Sequence, residues 1–255
     1  MNSDIFIINL DKSTERLATS TKRLEEAGVS FSRIKAVFGA DLSEAEKTQH
    51  YDAKLNRELF YRELNDGEIG AYLSHRKAWQ TIVDRQLDYA IIFEDDFILQ
   101  EDIKRAKQNL DAISFDWDYI KLAGYYSRKR KQTVIFKQKI IDMDLIAHSK
   151  VITGASATAV SYNAAIKLLA STDKFGRPLD TDLQHWWEKG IHIFCLLPYI
   201  SAPDEEILSE IDNTGKTSRK KNNRVLKRQY IQIKKFFLNR HHNAAFLAKY
   251  NNTDS

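Results

Sequence analysis

A single cysteine means that no internal disulfide can brace the chain. Cys195 lies inside an apolar run, where an inert buried thiol is expected rather than a nucleophile. Three prolines and nine glycines in 255 residues exclude long flexible linkers and low-complexity tracts. No run reaches the ~18 apolar residues needed to cross a bilayer. The opening Met1-Asn2-Ser3-Asp4 lacks the basic and long apolar regions of a secretion signal, so a cytoplasmic protein is expected. Acids are missing from one region in particular. Residues 213–255 hold 11 Lys and Arg but one acid, Asp254, whereas 1–212 hold 28 bases and 34 acids. The expected division is an acidic body, 1–212, and a basic tail, 213–255, suited to an anionic partner: membrane, nucleic acid or acidic glycan.

What is present reads as one α/β domain. Asp4-Ile5-Phe6-Ile7-Ile8-Asn9 is a buried strand, Asp11 or Ser13 caps a helix to about Ala27, and Phe31 to Val37 returns as a strand. This β-α-β opening suits a nucleotide-binding half, although no glycine-rich phosphate loop joins strand to helix. Charged helical patterns cover Ser43 to Tyr61, and a stronger helix starts at Asp66. After the strand at Tyr89, Glu101 to Ile113 is helical and Trp117 to Leu122 is a strand. Thr133 to Phe136 and Ile140 to Ile146 form a β-pair, followed by a strand from Ala157 to Tyr162. Helices then span Asn163–Ser171 and Asp180–Lys189, and a last strand runs from Ile191 to Leu197. Strand and helix alternate, which predicts a mostly parallel central sheet flanked by helices.

The chain is organised around Tyr89-Ala90-Ile91-Ile92-Phe93-Glu94-Asp95-Asp96. The apolar run reads as a strand buried on both faces. It ends in three mutually repelling carboxylates, at the strand end where open α/β sheets place ligands. Hard oxygen donors there suit Mg²⁺ or Mn²⁺ shared with phosphates, and without a glycine-rich loop a diphosphate needs such a cation. The bland alternative is an acidic helix cap facing water.

Other constellations are weaker. Asp180 and Asp182 bracket a helix start and can simply cap it, while Asp182 and His185 share a face and could meet a metal or a hydroxyl. Trp186 and Trp187 could stack on a sugar or fill a core. Glu68, Tyr72, His75 and Arg76 cluster on the helix from Asp66, and Ser127-Arg128-Lys129-Arg130-Lys131 is a cationic loop. From Arg224 to Arg240 the apolar Val225, Leu226, Tyr230, Ile233, Phe236 and Phe237 share one helical sector. Lys and Arg hold the other. Such a helix reads as an interfacial membrane anchor, with a docked terminal helix and a nucleic-acid arm as rivals.

Taken in order, three motifs carry a resemblance. Ile7-Ile8-Asn9-Leu10 with Arg16, then Gly67-Glu68-Ile69-Gly70-Ala71-Tyr72-Leu73-Ser74-His75, then Phe93-Glu94-Asp95-Asp96 together resemble glycosyltransferase family 25. That family includes bacterial lipooligosaccharide galactosyltransferases and is related to collagen galactosyltransferases. Gly154 with the small run to Ser161, and Pro178-Leu179-Asp180, match its later signatures, so the resemblance covers roughly 5–210. It implies a GT-A-like fold, an acidic metal motif using Mn²⁺ or Mg²⁺, and galactose transfer from UDP-galactose, with inversion, onto a lipid-linked saccharide. Carried over, Asp96 is the first metal ligand, with Glu94 or Asp95 near the ribose or the metal. Asn9, Leu10 and Arg16 fall near the nucleotide, and Ser74 and His75 match the family's Ser-His pair. Asp180 is expected as the base, with Asp182, His75 and His185 in reserve, and Glu68, His185 and Trp186 are expected at the acceptor. Thr158 stands where relatives often carry an aromatic residue, so acceptor contacts there are expected to differ. The basic helix would rest on the inner face of the cytoplasmic membrane, and nucleic acid is not an expected partner. Rival functions are another metal-dependent nucleotidyl or phosphoryl transferase, or a basic-tailed RNA- or membrane-binding protein.

Overall fold

The computed structural model describes residues 1–124, 133–204 and 225–250. The cationic loop around Arg128, the start of the tail helix at Arg224 and the boundary at 212 lie outside these residues. Eight strands form the main sheet: β1 (Ser3–Asn9), β2 (Ser32–Lys35), β3 (Tyr89–Glu94), β5 (Tyr119–Lys121), β6 (Val134–Lys139), β7 (Asp144–His148), β8 (Ala157–Ser161) and β9 (Ile193–Leu197). They lie in the order β2-β1-β3-β8-β5-β9-β7-β6. Followed across the pairings, six of the eight described strands point one way, and β8 and β7 run against them. The mostly parallel sheet expected from the alternating pattern is therefore present. A two-stranded antiparallel pair, β4 (Phe97–Leu99) with β10 (Ser201–Pro203), sits beside it and was not anticipated.

The centre of the sheet follows from apolar residues that do not alternate. Phe6 and Ile7 on β1 and Ile91, Ile92 and Phe93 on β3 are almost wholly buried, and these strands run in parallel register from Ser3↔Tyr89 to Ile8↔Glu94. Each large side chain so buried contributes on the order of 1.5–3 kcal/mol. Both strands point their carboxyl ends at one edge, which brings Asn9 beside Glu94.

Helices α1 (Thr14–Glu26), α4 (Asp66–Asp84), α5 (Ile103–Asp111) and α6 (Tyr162–Ser171) flank the sheet, and the short α2 (Glu44–Thr48) and α3 (Ala53–Leu59) precede α4. Helix α4 begins with a reciprocal cap: Asn65 Oδ1 accepts the Glu68 N–H at 2.8 Å and Glu68 Oε2 accepts the Asn65 N–H at 3.0 Å. It presses against the segment after β2. A Cβ on Gly70 would come within 2.5 Å of the Val37 carbonyl, so only glycine permits that approach. The contact lets Ser74 Oγ accept the Val37 N–H at 2.8 Å.

Several expected boundaries move. The second strand ends at Lys35 rather than Val37, and the β-pair shifts because Ile140 falls in its turn. The expected Asp180–Lys189 helix is broken into α7 (Leu179–Leu183) and a 3-10 turn, Trp186–Glu188. The tail helix α8 (Val225–Tyr250) runs well past Arg240. Its last turns dock: Phe246 and Tyr250 are buried, with ring centroids 5.2–6.2 Å from Phe136 and Phe194. Its first half is inverted. Leu226, Tyr230, Ile233 and Phe237, one stripe at helical spacing, face solvent, while Lys235 is buried. Among the described residues no helix is long and apolar enough to cross a membrane.

Candidate active site

The acidic triplet forms the turn between β3 and β4, and its three carboxylates face three ways. Asp95 is directed at β1 and α1. Its Oδ2 accepts Asn9 Nδ2 at 2.6 Å, and its Oδ1 meets Arg16 Nη1 at 3.4 Å. Ser20 Oγ donates to its carbonyl at 3.0 Å. Burial raises the Asp95 pKa, with Asn9 and Arg16 pulling the other way. Asp95 thus braces the turn, both of its oxygens being engaged within the protein, and it also borders the cavity at the triplet. Asn9 and Arg16 belong to the same brace, and Asn9 Oδ1 also accepts Arg33 Nε at 3.0 Å.

Glu94 turns toward α4, where its Oε1 lies 3.1 Å from His75 Nε2. The imidazole is 1% exposed; it holds that carboxylate and borders the cavity beside the triplet. Asp96 stands differently. Its Oδ1 is buried and has no hydrogen-bond partner among the described residues. Burial, reinforced by Glu94 and Asp95, pushes its pKa up to about 7. A desolvated carboxylate with an orphaned oxygen is a group in want of a cation. The backbone is fixed from the other side, as the Asp204 N–H donates to the Asp96 carbonyl at 2.6 Å and Arg23 pairs with Asp204 at 2.7 Å.

Among the described residues no set of three or more His, Cys, Asp or Glu side chains forms a ready-made metal cage. Mg²⁺ and Mn²⁺ do not require one, because one or two carboxylates and substrate phosphates commonly suffice. Asp96, with Glu94 beside it, fits such an ion.

Across from the turn, a cavity of about 250 Å³ is lined by Glu68, Ala71, Glu94, Gly154, Ala155 and Asp180 among others. Asp180 is half-buried, and among the described residues only its Oδ1 is engaged, by the N–H and hydroxyl of Thr181. Glu68 reaches the same cavity, but Arg62 grips its carboxylate at 2.5 and 2.7 Å besides the helix cap. A second cavity, lined by Leu10, Val37, Phe38, Ser74 and the triplet, shares Ala71 and Glu94 with the first. The two spaces adjoin across Glu94, one along the ends of β1 and β2, the other under Asp180.

Three expected site residues lie elsewhere. Asp182 is 2% exposed and accepts Tyr72 at 2.6 Å, Arg177 at 2.8 Å and Lys189 at 2.8 Å. Burial would raise its pKa, but Lys189 and Arg177 prevail and hold it below the ordinary carboxylate range. It is a saturated internal hub, not a reserve base. His185 is buried, its Nδ1 on the Thr181 carbonyl at 3.0 Å, and burial with Arg177 pulls its pKa down to about 4. Trp186 is also buried, packed on His192, His242 and Phe246. Neither touches the cavity, so the breadth of the core, not an acceptor, explains both.

One residue went unanticipated. Lys121, 1% exposed at the end of β5, donates to the Gly154 carbonyl and so holds the cavity wall from beneath. Burial pulls its ammonium down to about 8. A lone lysine inside the apolar run Trp117–Leu122 was the available sign.

Fold and site together define an α/β domain with a carboxylate turn at the carboxyl edge of its sheet, opening on adjoining cavities. The family "Glycosyltransferase family 25 (LPS biosynthesis protein)" matches residues 2–182. The chain belongs to glycosyltransferase family 25. Procollagen galactosyltransferase 2 of Mus musculus is 27% identical over 186 residues, 70% of this chain and 29% of that protein. Procollagen galactosyltransferase 1 of Danio rerio is 26% identical over 222 residues, 78% and 36% respectively. The inactive glycosyltransferase 25 family member 3 of Homo sapiens is 26% identical over 238 residues, 83% and 39%. The chain thus spans about a third of the length of these relatives. Among solved structures, a mutant Drosophila galactosyltransferase 7 in complex with manganese, UDP-Gal and xylobiose aligns with a TM-score of 0.42 at 10% identity. That alignment covers 89% of this chain and 80% of that one.

Proposed function

We propose that this chain is a GT-A-like, metal-dependent hexosyltransferase that moves galactose from UDP-galactose onto a lipooligosaccharide or lipopolysaccharide acceptor, with inversion to a β linkage. Family membership and the galactosyltransferase names of its relatives support the class of reaction. The observation that carries it is the cavity in which Asp180, with one carboxylate oxygen unengaged among the described residues, adjoins Glu94 and the Asp96 turn.

Asp180 takes the proton of the acceptor hydroxyl as that oxygen forms its bond to the sugar's anomeric carbon. The bond from that carbon to the diphosphate breaks, and UDP carries away the electron pair. Asp96, with Glu94, would hold Mn²⁺ or Mg²⁺, which when bound neutralises charge on the departing diphosphate. Asp95, tied to Asn9 and Arg16, keeps the turn in place, and Leu10, Val37 and Phe38 offer an apolar slot for the nucleoside. A panel of UDP- and GDP-sugars with Mn²⁺, scored by protection against thermal unfolding, tests the donor. UDP-galactose should protect most. Equal protection by GDP-sugars, or wild-type turnover by Asp96→Ala, would overturn the reading.

The same proposal places the protein peripherally on the inner face of the cytoplasmic membrane. Support comes from the outward stripe of α8, where Leu226 is 82%, Tyr230 65% and Phe237 64% exposed, with Lys234 beside it. Aromatic and aliphatic residues beside cations suit an anionic interface.

A further inference from the structure

A docked helix ordinarily turns its apolar stripe inward. In α8 the inward stripe changes character along its length. Tyr250 and Phe246 enter the core, but the preceding turns present Asn243, Asn239, Lys235 and Gln232 in the same direction. These face the Ser149–Lys150 segment after β7 across a cavity of about 490 Å³, with Arg240 and Phe236 at its sides. Among the described residues no carboxylate lines that cavity, and three cations do: Lys150, Lys235 and Arg240.

The cavity is built rather than incidental. Asn239 and Asn243 both donate to the Ser149 carbonyl, the latter at 2.8 Å, and so fasten the opposite wall to the helix. Lys235 is 5% exposed and donates to Gln184 Oε1, while Gln184 Nε2 donates to the Val151 carbonyl at 3.0 Å. Lys150 and Arg240 have no ion-pair partner among the described residues. Burying a lysine and gathering two more cations around it is unfavourable unless an anion shares the space. Burial, then Lys150 and Arg177, pull the Lys235 ammonium down to about 8, with Asp180 opposing.

We infer that this cavity is an anion subsite that takes a phosphate-type group, held by Lys150, Lys235 and Arg240. Its place relates it to the transfer site. The segment from Ser149 leads to Gly154 and Ala155, which wall the Asp180 cavity, and Gln184 lies one turn beyond Asp180. The anion can be a substituent of the acceptor glycan or a lipid headgroup beneath the outward stripe. Both present the same chemistry: a compact, multiply charged oxyanion that accepts from lysine and arginine.

The test uses the full chain and inorganic phosphate at constant ionic strength. Phosphate should raise the unfolding temperature of the wild type, and the double variant Lys150→Ala/Arg240→Ala should require about tenfold or more phosphate for the same shift, each charge-assisted bond being worth that order. Both side chains are exposed, so the variant should fold. Lys234→Ala, on the outer side of α8, should respond as the wild type does. Crystals soaked in tungstate should show the anion against Lys235. Equal protection of wild type and double variant, with no tungstate at Lys235, would overturn the inference and leave the cavity to water. Two further arms separate the sources. Loss of protection by a soluble sugar phosphate in the double variant assigns the acceptor, and loss of binding only to phosphatidylglycerol vesicles assigns the headgroup.

Discussion

Asn9 Nδ2 donates to Asp95 Oδ2 at 2.6 Å, and that bond ties the carboxyl ends of β1 and β3 together beneath the site. Without it, the Asp95 carboxylate would keep, among the described residues, a long contact to Arg16 at 3.4 Å. Asn9→Ala should therefore destabilise the protein by about 1–3 kcal/mol at pH 7, the range for a buried charged acceptor losing its donor. The sign with pH is fixed. The Asp95 pKa is already raised by burial, and losing Asn9 raises it further, so the deficit grows as pH rises through the folded-state pKa of Asp95 and is smallest near pH 4. Urea unfolding at both pH values measures this, and equal deficits would refute the brace.

Asp96 makes the opposite trade. Its folded pKa, about 7, lies above its ordinary 3.8, so the native state binds the proton more tightly than the unfolded chain does. Its contribution to stability is full below about pH 4 and is lost as pH rises through 7. Asp96→Asn keeps the shape and removes the charge. Without metal it should be more stable than wild type by ~2 kcal/mol at pH 8 and equal to it at pH 4, yet inactive in transfer. Added Mn²⁺ should stabilise the wild type alone. A metal-free variant no more stable than wild type at pH 8 would show that Asp96 carries no stored ionisation cost.

Much of this was legible in the chain. The unbroken apolar run Ile91–Phe93 could only be a doubly buried strand, and the carboxylates at its end had to lie at the sheet's carboxyl edge. Which carboxylate faces which way was not legible, because a turn sends adjacent side chains apart and the partners Asn9 and His75 are distant in sequence. Asp182 and His185 share a helical spacing with real sites, and only the fold reveals that Arg177 and Lys189 saturate the one and that the core encloses the other. The apolar sector of the tail helix was plain from its periodicity. Its direction was not, since docking is decided by Phe246 and Tyr250, which lie beyond Arg240 where the amphipathic sector ends.

Asp180 and Asp182 are two residues apart and should fail in different ways. Asp180 lines the cavity with one oxygen free of protein donors, so Asp180→Asn should lower turnover about 10²–10⁴-fold, the usual worth of a general base. Thermal protection by UDP-galactose should persist. Asp182→Asn would instead leave Lys189 buried without its ion pair and Arg177 with Glu188 alone, at a cost on the order of 3–5 kcal/mol. Paired measurement of melting and turnover separates them. A destabilised Asp180→Asn beside a stable, inactive Asp182→Asn would reverse the assignment of the base.

Helix α8 allows docking to be separated from surface attachment. Phe246 sits among Phe136, Phe194 and Trp186 with 4% exposure, so Phe246→Ala should cost about 3–5 kcal/mol of stability. Deleting the whole tail would therefore confuse misfolding with lost attachment. The outward residues avoid this difficulty. Tyr230→Ser, Ile233→Ser and Phe237→Ser alter exposed positions, and each should change stability by no more than about 0.5 kcal/mol. If α8 rests on an anionic bilayer, the triple variant should lose co-sedimentation with phosphatidylglycerol vesicles while its melting temperature and its transfer to a soluble acceptor hold. The wild-type interaction should weaken as salt rises, since Lys234 beside the stripe acts through a screened field. Vesicle binding by the triple variant at the wild-type level would show that the stripe faces something other than lipid.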